Sequence, residues 1–337
     1  MRIGLVAPPW VPVPPPSYGG TEAVVDLLAR GLQDAGHEVL LAAASDSTCP
    51  VPLVPGTMAS EYEALNGIAS GVAHLVYAYA AMADVDLIHD HTLIGPLYRG
   101  RPSGVPVVVT NHGPFTPETL VLFRAMAPDT AVVAISEDQA SHATDCPIAR
   151  VIHHGLDCDR IPVGAGDGGY AAFLGRMNPT KGVAEALRIA RNAGVPLRIA
   201  AKMREKQERD YFEAEVRPLL TREHEYLGEV SDAEKYVLLG GAFALLNPIQ
   251  WDEPFGLAMI ESLATGTPVV ATPRGSAPEI VRPGANGFLG REDALCTLLP
   301  RAAELDRAAC RADVEGRFSA ARMVADHVRL YEDVLAS

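Results

Sequence analysis

The sequence predicts an α/β chain folded as two doubly wound parallel sheets with a cleft between them. Three observations carry this. Short apolar runs alternate with helix-periodic runs along the whole chain. The length, 337 residues, is that of two domains rather than one. Hydrophobic residues make up 48% of the chain, yet no apolar run reaches the ~18 residues of a membrane span. Short apolar strands of this kind belong in sheets covered by helices on both faces.

The elements follow in order. Arg2–Ala7 reads as a first strand, followed by a stiff Pro-rich loop over Pro8–Pro16. Residues 24, 25, 28, 32 and 35 are apolar at helical spacing, and Gly36 stops that helix, which runs over 21–35. Further strands are expected at 38–43, 86–89, 105–110, 131–135 and 150–153, then at 170–174, 197–201, 225–227, 242–246, 268–271 and 287–289. Helices are expected at 137–144, 182–193, 204–221, 231–239, 257–265 and 292–314. The Gly-rich run Gly164–Gly169 divides the chain and is expected to be the linker. It also matches G-x-G-x-x-G, but it precedes a strand, where a dinucleotide fingerprint must follow one.

Charge divides the chain as well. The formal net charge is −14. Residues 1–158 hold 6 basic and 16 acidic side chains, and residues 159–337 hold 22 and 26. A polymer of nucleic acid and an anionic membrane both require a dense basic face, so neither is an expected partner. The less acidic half is the place to look for an anionic ligand. The five cysteines are scattered, odd in number and without C-x-x-C spacing, and no signal peptide is apparent, so a reducing, cytoplasmic setting is expected.

Three loops carry chemistry. Glu253–Glu261 (EPFGLAMIE) follows an apolar strand and opens a helix. The amides near Phe255, Gly256 and Leu257 sit at that helix start, where free N–H groups and the helix dipole favour an anion. Two carboxylates framing an anion repel it unless each accepts a hydroxyl, which a ligand bearing both hydroxyls and phosphate supplies. The alternative is a Glu that stabilises the helix dipole and a second on a solvent face. In Leu174–Gly182 (LGRMNPTKG), Arg176 and Lys181 pair a forked guanidinium with a point ammonium, a combination suited to diphosphate. A solvated basic loop is the alternative there. In Tyr18–Glu22 (YGGTE), Gly19 and Gly20 could hold phosphate on backbone amides, or merely form a tight turn capped by Thr21.

Taken together these loops resemble the retaining, GT-B-fold glycosyltransferases of family 4. EPFGLAMIE resembles that family's E-x7-E motif, GRMNPTKG its diphosphate loop, and YGGTE its N-terminal Gly-Gly loop. The order also fits, with TNHG at 110–113, AISE at 134–137, HHGLD at 153–157, YLGEVSD at 226–232 and GSAPEIV at 275–281. The resemblance reaches the terminal helix. Its compact form is similar to that of actinobacterial transferases of oligosaccharide-antibiotic (avilamycin-type) assembly.

The resemblance implies an acceptor-side domain over 1–160, joined by a terminal helix at 319–337, and a donor domain over 161–318. It implies that Arg176 and Lys181 neutralise the departing diphosphate, that Glu261 holds the ribose hydroxyls, and that Glu253 and the Phe255–Leu257 amides hold the sugar. It places His112 beside the donor sugar, Gly19 and Gly20 near the phosphates, and the base near Lys202 and Gly228, Glu229 and Val230. The implied partners are a nucleotide sugar, UDP by default, and a small-molecule or oligosaccharide acceptor met by loops 8–20, 45–80 and 112–120. No cofactor, metal or stable membrane association is expected. Glycolipid or polysaccharide synthesis, another sugar-processing GT-B activity and a turnover-free nucleotide-sugar binder are the alternatives. His89-Asp-His91 is metal-like but lacks a third ligand, and the D-x-D runs at 84–86 and 157–159 do not stand where a metal-binding transferase needs them.

Overall fold

The computed structural model describes residues 1–61 and 67–337. Residues 62–66, part of the expected acceptor stretch 45–80, lie outside the described residues. The chain forms two units, Met1–Gly155 with Ala320–Ser337, and Leu156–Ser319. The sequence-based limits fall at 160/161 and 318/319.

Unit 1 runs β1 (Arg2–Val6), α1 (Gly20–Asp34), β2 (Glu38–Ala42), α2 (Ile68–Ala81), β3 (Leu87–Asp90), β4 (Val107–Thr110), α3 (Pro117–Met126), β5 (Thr130–Ala134), α4 (Glu137–Ser141) and β6 (Arg150–Val151). All its strands are parallel, in the order β2-β1-β3-β4-β5-β6. Central strands β3 and β4 are buried on both faces. Tyr79 and Leu75 of α2, with Met82 just after it, pack on one face with Val6 and Ile88.

Unit 2 runs β7 (Ala171–Arg176), α5 (Val183–Ala193), β8 (Leu197–Lys202), α6 (Lys206–Tyr211), β9 (His224–Gly228), α7 (Asp232–Gly241), β10 (Ala244–Asn247), α8 (Leu257–Ala264), β11 (Val269–Ala271), α9 (Ala277–Ile280), β12 (Gly287–Leu289), α10 (Glu292–Arg301) and α11 (Arg307–Arg317). Its sheet is also parallel, ordered β12-β11-β10-β7-β8-β9. Helix α5 is strongly amphipathic and buries Val183, Leu187 and Ile189 against Phe173, Leu197 and Leu246. α12 (Ala320–Ala336) then completes unit 1.

In each sheet the strand order reverses at one point, and ligands in such sheets sit beyond the carboxyl ends of the strands there. In unit 1 the reversal lies between β1 and β3, so the loops after them, and after neighbouring β4, share one edge. In unit 2 it lies between β7 and β10. Arg176 ends β7, and the loops after those two strands carry Lys181 and Glu253.

Every expected strand is present to within two residues. The helices differ more. α2 and α3 fall in stretches read as acceptor loops. α2 has no charged residue, so its periodicity has no polar face to reveal it. The helix expected over 292–314 is two, because Pro300 closes α10 and Asp306 caps α11. The helix expected over 204–221 gives way after Tyr211 to a wide turn and then to a tight one holding Pro218.

Gly164–Gly169 is not a linker. Its backbone is bonded into unit 2, with Gly164, Gly166 and Gly168 amides donating to the Thr265, Gly240 and Gly241 carbonyls at 3.0, 2.9 and 2.9 Å. A Cβ on Gly164 would stand 2.1 Å from the Gly240 oxygen, so these glycines serve close backbone approach rather than freedom. The crossings lie at 155/156 and 319/320 instead.

Candidate functional site: a charged loop cluster and a histidine array

In unit 2, Arg176 ends β7. Its Nε donates to Glu208 Oε1 at 2.5 Å, and its terminal nitrogen pairs with Glu205. Glu208 is buried and accepts the Arg204 and Glu205 amides at 2.7 and 2.9 Å. Burial pushes its carboxyl up, but those bonds and the Arg176 guanidinium outweigh it and hold the pKa below the usual range. Lys202 ends β8 directly across from Arg176 and lies 3.8 Å from the same Glu205. Glu205 therefore joins the two cations.

Lys181 closes a one-turn segment started by the Asn178 side chain, which accepts the Thr180 amide at 2.9 Å. Its ammonium pairs with Glu253 and lies 5.6 Å from the centre of the Trp251 ring. Glu253 is fixed by its carbonyl, which accepts the Ser276 amide at 3.1 Å. The next turn reverses at Gly256, whose φ of 89° is left-handed and whose residue precedes the first turn of α8. Phe255 is buried, its carbonyl taken by the Ser276 hydroxyl, while Leu257 is half-buried at the helix start.

Glu261, one helix turn on, pairs with Lys235 of α7 at 2.8 Å. Lys235 also reaches Asp232 at 2.7 Å. Burial lowers its pKa, but the surrounding charges, Glu261 first, raise it further, so it stays charged. Gly228 ends β9 with a φ of 84°. Glu229 is held bidentate by Arg204, at 2.6 and 2.9 Å, and half-buried Val230 leads to the Ser231 cap of α7. The charged residues expected around a bound nucleotide sugar thus fall into four ion-paired groups: Arg176 and Lys202 on Glu205, Lys181 on Glu253, Glu261 on Lys235, and Glu229 on Arg204.

Unit 1 differs in kind. Gly19 precedes α1 and Gly20 opens it, with no side-chain cap. Glu22 is buried in that first turn, and desolvation lifts its pKa to about 7. His112 follows β4 and is half-buried. Its Nε2 meets His91 Nδ1 at 2.9 Å, and its ring stacks on His154 with centroids 5.2 Å apart. His91 in turn lies 4.1 Å from His89, which contacts His327 at 5.2 Å. His89 is satisfied by the Tyr331 hydroxyl at 2.7 Å and the Thr110 hydroxyl at 2.8 Å. Burial first holds all these histidines neutral; neighbouring imidazoles add to it at His89, His91, His112 and His154, and the Arg322 charge adds to it at His327. His112 is pushed down to about 3, His327 to about 4, and His89, His91 and His154 well below 6.5.

The His89-Asp90-His91 motif resolves by strand alternation. Its histidines share one face of β3, and Asp90 points to the other, accepting the Tyr79 hydroxyl at 2.7 Å. Among the described residues, no group of three or more His, Cys, Asp or Glu is arranged to hold a metal ion.

Two family profiles span most of the chain. One described as "Glycosyltransferase Family 4" matches residues 18–160, and one described as "Glycosyl transferases group 1" matches residues 161–294. The chain is a GT-B glycosyltransferase of family 4. The transferase is 28% identical over 319 residues to the phosphatidyl-myo-inositol mannosyltransferase of Mycolicibacterium smegmatis, covering 86% of this chain and 80% of that one. It is 27% identical to the D-inositol 3-phosphate glycosyltransferase of the same organism, covering 80% and 73%. Among solved structures, AviGT4, a glycosyltransferase involved in avilamycin A biosynthesis, aligns with a TM-score of 0.77 at 25% identity, covering 100% and 98%. Sucrose-phosphate synthase from Thermosynechococcus elongatus shares the fold, with a TM-score of 0.79 at 19% identity over 100% and 99%.

Sequence reasoning missed Glu205, Glu208, Lys235 and Glu22 as parts of these sites, and read His91 as half of a metal-like pair better suited to a loop contact or an acceptor-side role. The Glu205/Glu208 spacing is a helix-start signature that could have been followed back to Arg176. Lys235 leaves no such trace, because its partner lies 26 residues away on another helix.

Proposed function

We propose that this glycosyltransferase moves a sugar, with retention, from a nucleoside diphosphate sugar to a hydroxyl of a glycolipid-type acceptor, with UDP as the leaving nucleotide. The observation that carries the donor side is that Arg176, the Lys181–Glu253 pair and the start of α8 all follow the two strands at the strand-order reversal of unit 2. Breaking the anomeric bond builds negative charge on the diphosphate. Fixed cations there are the largest catalytic contribution such a site can make. A donor would take Arg176 and Lys181 from their carboxylates, leaving Glu253 for sugar hydroxyls and Glu261 for the ribose. In this reading no metal or further cofactor takes part.

Neither glutamate serves as nucleophile. Substitution occurs on one face of the sugar, and a phosphate oxygen takes the acceptor proton. All five cysteines are free, in keeping with work in the cytoplasm. No helix among the described residues is long and apolar enough to cross a membrane.

Two observations support an amphiphilic acceptor. The curated relatives include transferases named for phosphatidyl-myo-inositol. The outer face of uncharged α2 leaves Ile68, Val76 and Tyr77 exposed at 82%, 42% and 48%. Low basic charge argues against docking by electrostatics, but an apolar helix face needs none. The likeness to AviGT4 supports a second reading, an oligosaccharide-antibiotic acceptor.

The test is a thermal-shift screen with UDP, GDP, ADP and dTDP. It is followed by product analysis with the sugar donors of whichever nucleotide binds, offered phosphatidylinositol or an oligosaccharide. A ligand at 100 times its Kd should stabilise by about 2.7 kcal/mol. The anomeric configuration of the product, read by NMR, tests retention. If no nucleoside diphosphate raises the melting temperature, the donor assignment fails. Transfer to the oligosaccharide alone selects the second reading.

A further inference from the structure

His91 is buried, with 5% of its surface exposed. One of its ring nitrogens, Nδ1, meets His112 Nε2 at 2.9 Å. The other, Nε2, is buried without a hydrogen-bond partner among the described residues. Both rings are neutral, so the contact between them contains a single proton with two possible placements. If His112 donates, the His91 proton sits on Nε2 as a buried N–H with no acceptor. If His91 donates from Nδ1, its Nε2 is a bare lone pair instead. Orphaned N–H groups are the rarer of the two in folded proteins, because every buried donor has a strong demand for a partner.

We infer that His91 is a positioning residue that fixes His112 in one tautomer, with Nδ1–H on its outward edge, and so makes it a neutral hydrogen-bond donor rather than a base. The outward edge follows from the geometry. The Nε2 edge of His112 is turned inward to His91, its face is stacked on His154, and the residue is only partly buried. A second contact holds His91 in place, its ring lying 4.1 Å from His89. His89 is itself pinned on both nitrogens by Tyr331 and Thr110. The array thus conveys the order of β3, β4 and α12 to one N–H. An oxygen is the chemical partner that such a donor takes, either on a sugar hydroxyl or on a phosphate, and a neutral donor stabilises developing charge there without giving up its proton. This deepens the donor-site reading above, and its substrate-level consequence rests on that reading.

The tautomer is read in the free protein by long-range proton–nitrogen NMR correlation on nitrogen-15-labelled histidines at neutral pH. His112 is assigned by the signal lost in His112→Gln. The expected pattern is a protonated Nδ1 and an unprotonated Nε2. In His91→Leu the lock is gone and the two nitrogens average. In His91→Asn the side-chain amide stands where Nδ1 stood, and the pattern returns. Using the donor identified by the nucleotide screen, kcat should fall about tenfold in His91→Leu with KM little changed, as for one lost hydrogen bond, and recover in His91→Asn. His112 protonated at Nε2 in the natural protein overturns the proposal, as does a His91→Leu protein that keeps both tautomer and kcat. If His91→Leu does not fold, the natural protein and His91→Asn still decide the tautomer. Because this measurement needs no substrate, a wrong donor assignment leaves it standing.

Discussion

The two units solve the same problem, polar groups at a sheet's carboxyl edge, in opposite ways. Unit 2 keeps its groups charged and pairs them: Arg176 with Glu205 and Glu208, Lys181 with Glu253, Lys235 with Glu261. Unit 1 gathers five histidines, His89, His91, His112, His154 and His327, and keeps them uncharged by burial. Pairing preserves charge that an anionic ligand can claim by displacing the internal partner. Burial removes charge and leaves directional donors and acceptors. The difference teaches that charge paired inside the protein stays available to an anionic ligand, whereas buried imidazoles offer only directional hydrogen bonds.

The largest expected break in the charged half comes from its cations. Arg176→Ala or Lys181→Ala should each lower kcat on the order of 10²–10³, by analogy with the loss of one fixed electrostatic donor. Steady-state kinetics with the donor found in the nucleotide screen reads this. A loss below threefold for both would mean that the diphosphate lies elsewhere.

Next in size is the response of the neutral half to acid. The folded pKa of each array histidine lies below its ordinary 6.5, so the unfolded chain takes up protons first as pH falls. Their contribution is complete above pH 6.5 and is lost as pH falls from 6.5 toward 4. Glu22, lifted to about 7, and Asp90, lifted to about 6, act with the opposite sign. Five groups against two leave a net loss of about 3 kcal/mol between pH 6.5 and 5.5. Chemical denaturation at both pH values measures it. Equal or greater stability at pH 5.5 would mean that the array is solvated.

A smaller effect should follow from Glu261→Gln, which weakens the ribose acceptor while Lys235 retains Asp232. UDP binding, measured by calorimetry, should weaken on the order of tenfold, as expected for a hydrogen bond to a charged group. The smallest effect sharpens the comparison by its sign. Glu205→Gln removes a half-exposed carboxylate that competes with diphosphate for Arg176 and Lys202. UDP affinity should rise by roughly twofold to fivefold, the size of a solvent-screened ion pair. Weaker binding would show that Glu205 aims Arg176 rather than competing for it.

The same contrast governs what the sequence could reveal. Strands of a doubly covered parallel sheet are short apolar runs between breakers, and β12 at Gly287–Leu289 was legible to the residue. α2 was not, because a helix without charged residues has no pattern of contrast. In the site, contiguous motifs were legible: Arg176 and Lys181 share one loop, Glu253 and Glu261 one loop and helix. Their partners were not. Lys181 and Glu253 lie 72 residues apart, and His91 and His112 lie 21 apart on separate strand ends, so the pairings exist only once the sheet is ordered. GAGDGG misled for a related reason, because glycine marks both a loose chain and two backbones pressed together.

α12 gives the chain an unusual schedule. It packs on α1, ties down the β6 region through Arg150–Asp333 at 2.6 Å, and brings Tyr331 to His89. The unit begun first on the ribosome is therefore finished last. At about 5–20 residues per second, the segment up to Gly155 waits roughly 10–30 s for Ala320 and its successors to be made. Unit 2 has all its strands and helices in hand before that. Throughout the wait, the half of the chain that carries the histidines lacks the helix that covers them, which makes it the part of the nascent protein most in need of a chaperone.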